Sequence, residues 1–306
     1  MGLDRLKIIT TLNDTNKDFI NHDLYRLLYD KQLYVIAYEN IKGNKGALTP
    51  GADLEESLQG FSEKRIDKLI LQMRSQSWQP KLARQILIPK PGKTTLRPLG
   101  IQGPEDKIVQ EVVRMILNAI YNNNRFDKNS YGFRPNLGCH DALKHIKDNF
   151  DGLSYCIEGD IQAFFPSVCH QTLIKLLRKK IQDQRFLDII FKMLRAGYWS
   201  QNDGTIEKPD VGTPQGSIVS PILSNIYLNE LDVWIRKWEN DNIKTSHKLI
   251  QSSAAKQLRS HIERLESKQI LNPTREIGEM IRKAKLEKLQ TEPYDDSIRR
   301  ERLVYV

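Results

Sequence analysis

The stretch from Glu105 to Tyr121 constrains the fold of this chain more than any other stretch does. Its apolar residues recur every three or four positions, which places them on one face of a helix. Pro104 precedes the stretch, where a proline fits the first turn of a helix. The apolar positions are Ile108, Val109, Val112, Val113, Ile116, Leu117 and Ile120. We therefore predict a helix that is buried in the core of a globular protein.

Helical spacing recurs along much of the remaining chain. Further helices are expected within residues 16–46, 61–73, 173–181, 186–194 and 221–238. Short apolar runs predict strands at 84–89, 94–101 and 153–161, and the first two form a hairpin around "KPGK".

Positive charge lies near the tip of this predicted hairpin, at Lys90, Lys93 and Arg97. An Arg can grip phosphate oxygens with two parallel hydrogen bonds, and a Lys acts as a compact point charge. Both residue types on one hairpin suit a triphosphate. The alternative interpretation is a solvated basic turn.

An acidic residue, Asp160, ends the third predicted strand, and Phe164 and Phe165 follow about one helical turn later. A carboxylate at a strand end can bind a divalent cation, and a bulky ring at that distance can line the same cavity. In the alternative interpretation, Asp160 caps the next helix and the two phenylalanines belong to the core.

Two more segments carry residue types that suit nucleotides. Glycines and a proline at 212–216 force a turn that projects Gln215, whose amide can hydrogen-bond a nucleotide or a sugar without adding charge. The same turn also fits the start of a helix. Residues 130–143 bring Tyr131, Phe133 and Arg134 together, and aromatic rings beside Arg suit stacking on bases and pairing with phosphate.

The composition favours an anionic partner. Lys and Arg total 47 against 38 Asp and Glu, which gives a formal net charge of +9. Nucleic acid is the leading partner class, although positive charge also suits anionic membranes. The three cysteines are far apart and favour neither a disulfide framework nor a zinc site. Charges break every apolar run short of a membrane span, and the first residues show no targeting signal, so no membrane association is expected.

Four segments, taken in order, resemble successive sequence blocks of reverse transcriptases encoded in group II introns. They are "RPLGI" at 97–101, "SYGFRP" at 130–135, "EGDIQAFF" at 158–165 and "GTPQGSIVSPILSNIYL" at 212–228. The resemblance extends from near Leu24 to Asp232, and "NKGALTPGAD" at 44–53 is similar to the N-terminal extension of that family. The chain most resembles the proteins of mitochondrial-type introns.

The resemblance implies an α+β fold: right-hand polymerase fingers and an incomplete palm, helix-rich with a small antiparallel sheet. The expected parts are an N-terminal extension with fingers helices at 1–83 and the reverse transcriptase fingers and palm at 84–239. A charged helical insertion at 240–301 and the start of a palm strand at 302–306 follow.

The resemblance also implies a palm that holds two Mg²⁺ ions. Asp160 matches the first catalytic Asp of the family, and the carbonyl of Ile161 would lie beside the metal. The family's next block, a Tyr-Ala-Asp-Asp turn with the remaining ligands, is not found before Val306. A single carboxylate does not offset the charge of two divalent ions, so the isolated chain is not expected to polymerise DNA.

The nucleotide and nucleic-acid residues follow from the same comparison. Lys90 and Arg97 would contact the triphosphate, Phe165 would act as the gate against a ribose 2′ hydroxyl, and Gln215 would border the nucleotide. Implied contacts with nucleic acid are those of Lys93, Tyr131, Phe133 and Arg134. The chain departs from the family's pattern at Pro166, where an Asp is common, and at Ser217, where a second Gly is common.

The resulting hypothesis is a fragment of a reverse transcriptase (RNA-directed DNA polymerase) and intron maturase that acts in group II intron splicing and mobility. Whether the chain is itself an enzyme stays open. The alternatives are a non-catalytic protein that binds intron RNA and assists splicing, and a decaying reading frame. Expected partners are group II intron RNA, a DNA primer or target, deoxynucleoside triphosphates and a separate C-terminal chain. The expected location is the mitochondrion, with the gene in the organelle, and the alternative is a bacterial cytoplasm.

Overall fold

The computed structural model describes residues 2–89, 92, 94–121, 125–150, 155–242 and 252–291. Lys90, Lys93 and the strand expected at 302–306 lie outside the described residues. The chain divides into two compact units, the first ending at Trp234 and the second beginning at Ile235.

The first unit consists mainly of helices with four short strands. In chain order its elements are α1 (Gly2–Thr15), a 3₁₀ helix (Leu24–Tyr29), α2 (Lys31–Lys42), α3 (Glu63–Arg74), β1 (Ala83–Pro89), β2 (Leu96–Ile101), α4 (Pro104–Tyr121), α5 (Cys139–Asn149), α6 (Phe164–Ser167), α7 (His170–Arg178), α8 (Gln184–Leu194), β3 (Tyr198–Ser200), β4 (Ile206–Glu207) and α9 (Ser220–Asn242). The last of these, α9, continues past Trp234 into the second unit.

The predicted core helix is confirmed as α4. Its seven predicted apolar residues are at most 1% exposed, and α1 and α2 pack against it. The polar side of α4 is buried as well, at Asp106, Lys107, Gln110 and Glu111. Each of these polar side chains binds a different neighbouring segment.

Two of these polar contacts join α4 to the N-terminal part of the chain. Lys107 Nζ donates hydrogen bonds to the carbonyl oxygens of Gly46, Ala47 and Thr49, at 3.3, 3.0 and 2.7 Å. Glu111 accepts hydrogen bonds from the Arg114 guanidinium and from Asn40 Nδ2, at 2.6–2.8 Å. Burial lowers the pKa of Lys107, yet its donors have carbonyl partners that offset the loss of water.

The four strands form one sheet in the order β2-β1-β3-β4. β1 and β2 form the predicted antiparallel hairpin, with Arg84 opposite Ile101 and Pro89 opposite Leu96. β3 pairs with β1 in parallel and with β4 antiparallel. The α+β, helix-rich class is thus confirmed, and the sheet is mixed because one of its three pairings is parallel.

The predicted strand at 153–161 is wrong for its described part. Residues 155–161 form no strand, and Tyr155 and Ile157 are 87% and 96% exposed. A strand forms only when its backbone N–H and C=O groups have a neighbouring strand to bond. Within the described ranges no strand lies beside this segment.

The second unit contains α10 (Ser253–Leu271) and α11 (Arg275–Gln290), which pack against each other. Ser252 caps the first of these helices and Thr274 caps the second, each through a side-chain oxygen that accepts a backbone N–H. A small cluster of Ile262, Leu265 and Ala284 forms the apolar contact. The four domain boundaries given above stay a prediction. Of the helices in the described ranges, none is long and apolar enough to cross a membrane.

Candidate nucleotide and nucleic-acid site

The turn at residues 212–217 is the centre of the candidate site. Gly212 and Gly216 both have a φ of +96°, a left-handed conformation that other residues rarely adopt. A Cβ on Gly216 would lie 2.5 Å from the carbonyl oxygen of Gly100 on β2. The turn therefore needs glycine at position 216 for its backbone angle and for its close approach to the hairpin.

Backbone hydrogen bonds join three of the four sequence blocks at this turn. Gly100 N donates to Gln215 O at 2.7 Å, which links the turn to "RPLGI". Thr213 N donates to Phe165 O at 2.7 Å, which links the turn to the end of "EGDIQAFF". Segments that are far apart in the sequence thus meet at this turn.

Two buried side chains that the sequence did not single out also hold the turn. Gln110 Oε1 accepts hydrogen bonds from Ser217 Oγ and Ile218 N, both at 2.9 Å. His170 Nε2 donates to Gly212 O at 2.6 Å, since a carbonyl can only accept. A polar residue on the polar side of a helix looks like a solvated residue in sequence, so no local pattern could have identified Gln110.

The block at 130–135 contacts α9, the helix that follows the turn. Asn225 Nδ2 on α9 donates to Gly132 O at 2.8 Å. Asn229 Oδ1 on the same helix accepts from Asp127 N at 3.3 Å. All four blocks are therefore connected: three meet at the turn, and the block at 130–135 contacts α9.

Within the block at 130–135, the Arg134 side chain lies inside its own loop. Its guanidinium donates to Asp127 O at 3.0 Å and to Ser130 O at 2.8 Å, and it lies over the ring of Phe126. Burial lowers the pKa of Arg134. The side chain shapes the loop, and its predicted contact with nucleic acid stays a prediction.

The two aromatic residues of the block at 130–135 differ in exposure. Tyr131 is half-buried, and its hydroxyl is 2.8 Å from His145 Nδ1 on α5. Phe133 is 73% exposed and has a φ of +54°. Bulky residues rarely adopt this left-handed φ. The predicted contacts of Tyr131 and Phe133 with nucleic acid stay predictions.

The structure also describes four other predicted residues, Arg97, Phe165, Asp160 and Ile161. Arg97 is exposed on β2, opposite Ile88 in the hairpin. Phe165 is half-buried, and its ring packs edge to face against Phe164, 5.8 Å between centroids. Asp160 is exposed and Ile161 is 48% exposed.

The donors at the predicted metal site are one carboxylate, from Asp160, and one carbonyl, from Ile161. No group of three or more His, Cys, Asp or Glu side chains is placed to hold a metal in the described part of the chain. This donor set does not fit two closely spaced divalent ions, because such ions need several carboxylates to offset their charge.

Residues 88–276 match the family model described as "Reverse transcriptase (RNA-dependent DNA polymerase)". The group II intron-encoded protein LtrA of Lactococcus lactis subsp. cremoris is 42% identical over 230 residues, which cover 75% of this chain and 38% of that protein. The uncharacterized 91 kDa protein in cob intron of Schizosaccharomyces pombe is 45% identical over 225 residues, which cover 72% of this chain and 27% of that protein.

Among solved structures, a chain of the "Partial Cas6-RT-Cas1--Cas2 complex" matches 81% of this chain and 42% of its own length, at 21% identity and a TM-score of 0.46. The chain spans less than half the length of the curated relatives above. The family model, by contrast, covers well over half of the chain. The chain therefore belongs to the reverse transcriptase (RNA-dependent DNA polymerase) family, among the members that group II introns encode.

Proposed function

We propose that the chain is the fingers and front palm of a reverse transcriptase and maturase that binds its group II intron RNA and acts in splicing and mobility. The observation that carries this proposal is the meeting of β2, the Phe165 segment and the turn at 212–217. Both curated relatives described above are intron proteins by name. No observation favours a non-catalytic binding protein or a decaying reading frame over this function.

The nucleotide site lies between the hairpin and the turn. Arg97 is exposed three residues before Gly100, whose N–H binds the carbonyl of Gln215. A triphosphate gripped by Arg97 would bring its nucleoside toward Gln215 and the ring of Phe165. Lys90 would add a second cation to the triphosphate, and Lys93 would lie near the template or primer.

Family membership implies dependence on a divalent metal, and we assign it as Mg²⁺, with Asp160 and the Ile161 carbonyl as its first ligands. The remaining carboxylates would come from outside the described residues, and a separate C-terminal chain is one such source. The purified chain is expected to show no Mg²⁺-dependent extension of a DNA primer on RNA. Extension by the purified chain that Asp160→Ala abolishes would contradict the proposal that further metal ligands are needed.

Binding of intron RNA can be tested with the chain alone by filter binding to structured group II intron RNA. We expect binding at low salt that weakens steeply as salt rises, because contacts with phosphate release counterions. Phe133→Ala should weaken binding by roughly tenfold, since stacking on one base is worth about 1–3 kcal/mol.

Tyr155→Ala is the matched control, because it also removes an exposed aromatic ring, which is 87% exposed. This control should change RNA affinity less than twofold. An absence of binding at low salt would rule out the proposal, and equal losses in both variants would rule out a specific role for Phe133.

We assign the protein to the mitochondrion, encoded within the organelle. Its relatives include a protein of a yeast cob intron and one of a bacterium, so the bacterial cytoplasm is the alternative location. Immunodetection in purified organelles of the source cell tests this assignment.

A further inference from the structure

Gln110 of α4 holds the C-terminal end of the turn at 212–217. Its Oε1 accepts hydrogen bonds from Ser217 Oγ and from Ile218 N, each at 2.9 Å. We propose that Gln110 is a positioning residue for the nucleotide site, acting through Ser217 to fix the turn that carries Gln215. This inference rests on the nucleotide site proposed above.

Burial makes these hydrogen bonds effective. Gln110 is 3% exposed and Ser217 is 6% exposed, so water does not compete for the donors on the turn. Without the Gln110 oxygen, the buried Ser217 hydroxyl and the N–H of the half-buried Ile218 would lose this acceptor. The turn would then move to find other acceptors, and Gln215, two residues from Ser217, would move with it.

The helix that carries Gln110 is a rigid support. α4 is buried on its apolar and polar sides, and its neighbours on the polar side are fixed by Lys107 and Glu111. The opposite end of the turn is held through backbone groups, by Thr213 N on Phe165 O. Backbone contacts also reach Gln215, through Gly100 N, and Ser217, through Pro214 O. Gln110 adds a side-chain contact at Ser217 and Ile218, from a helix outside the turn.

Ser217 gives the contact its specificity in this chain. In this chain the hydroxyl is a second donor to the same amide oxygen, so Gln110 and Ser217 form one unit. A purely structural role would lower overall stability, whereas a positioning role changes nucleotide binding at Gln215 more than binding of nucleic acid elsewhere.

The test is Gln110→Met in the full chain, because Met has a similar length and lacks the amide oxygen. The measurements are equilibrium binding of a fluorescent deoxynucleoside triphosphate, with Mg²⁺ and an RNA–DNA primer–template, and binding of the primer–template alone. We expect triphosphate affinity to fall roughly tenfold, as for a lost buried hydrogen bond, and primer–template affinity to change less than twofold.

Gln102→Met is the matched control. Gln102 is also 3% exposed and lies just before α4, and its Nε2 has no hydrogen-bond partner. The same substitution there should leave triphosphate affinity within about twofold, since a surplus donor is removed rather than a used acceptor.

Ser217→Ala should produce part of the effect of Gln110→Met, because Ile218 N can still donate to Gln110, and the double variant should be no worse than Gln110→Met alone. Such non-additivity is expected when two residues act through one contact. Amide hydrogen exchange at Ile218 should speed up in the Gln110→Met variant while exchange in α8 stays unchanged.

The outcomes separate this inference from the function on which it rests. A wild-type chain that binds no triphosphate overturns the nucleotide site itself. A wild-type chain that binds triphosphate, with Gln110→Met binding equally well or losing primer–template affinity to the same extent, overturns only the role of Gln110.

Discussion

At the scale of single residues, two positions show how the site depends on local backbone geometry and burial. Gly216 combines a left-handed φ with an approach of 2.5 Å between its Cβ position and Gly100 O. Asp106 is a buried carboxyl whose oxygen accepts a hydrogen bond from Lys81 N at 2.9 Å. Each position leads to a specific prediction.

Gly216→Ala should lower the free energy of unfolding by about 3 kcal/mol, because it adds backbone strain and a clash with β2. Gly204→Ala is the matched control: Gly204 also has a positive φ, +72°, and a Cβ there meets nothing within 4 Å. The control should cost about 1 kcal/mol, for backbone strain alone. Urea unfolding of the two variants measures the difference, and equal losses would show that the close approach to Gly100 does not matter.

Asp106 should make stability depend on pH. Burial raises its pKa from 3.8 to about 7, although the Lys81 N–H acts in the opposite direction. The folded state therefore favours the protonated acid. The contribution of Asp106 to the free energy of unfolding is complete below about pH 4 and is lost as the pH rises through about 7.

Asp106→Asn removes this titration and keeps an oxygen for the Lys81 N–H. Between pH 5 and pH 8 the wild-type chain should lose up to about 3 kcal/mol more free energy of unfolding than the variant, with the variant the more stable at pH 8. Urea unfolding at both pH values gives the comparison. Parallel changes in the two proteins would show that Asp106 does not titrate in this range.

At the scale of elements, α4 organises the first unit from two sides. Its apolar side packs in the core, and its buried polar side binds the loop at 46–49, α2 and the turn at 212–217. The helix itself could be predicted from the sequence, because an apolar repeat of three and four residues is the pattern that a helix with one buried face produces. The contacts of its polar side could not be predicted, because polar residues that bind distant segments look like solvated residues in a sequence.

Lys107→Met tests this role of α4. Loss of the ammonium group leaves the carbonyls of the loop at 46–49 without their shared donor, so we expect a loss of about 2 kcal/mol in the free energy of unfolding. Hydrogen exchange should also speed up in that loop. Lys68→Met, at an exposed position on α3, should change stability by less than about 0.5 kcal/mol. Unchanged exchange in the loop would contradict the anchoring role.

At the scale of the whole molecule, the sequence allowed the fold class and the hairpin of β1 and β2 to be predicted, and the order of its four blocks indicated that they belong to one site. It did not reveal β3, since three residues carry too little pattern to distinguish a strand from a loop. Nor did it reveal that residues 155–161 would lack a strand, because pairing depends on neighbours elsewhere in the chain. The site residues from Asp160 to Gln215 were identified through resemblance, and their roles stay predictions.

The parallel pairing of β1 with β3 also has a consequence for synthesis. Ala83 pairs with Tyr198, so this edge of the hairpin leaves the ribosome long before its partner is translated. Until then its backbone groups can pair with another nascent chain, a common route to aggregation. Contacts between such distant residues also form slowly. The yield of folded protein should therefore depend on translation speed and on chaperones that shield the β1 edge.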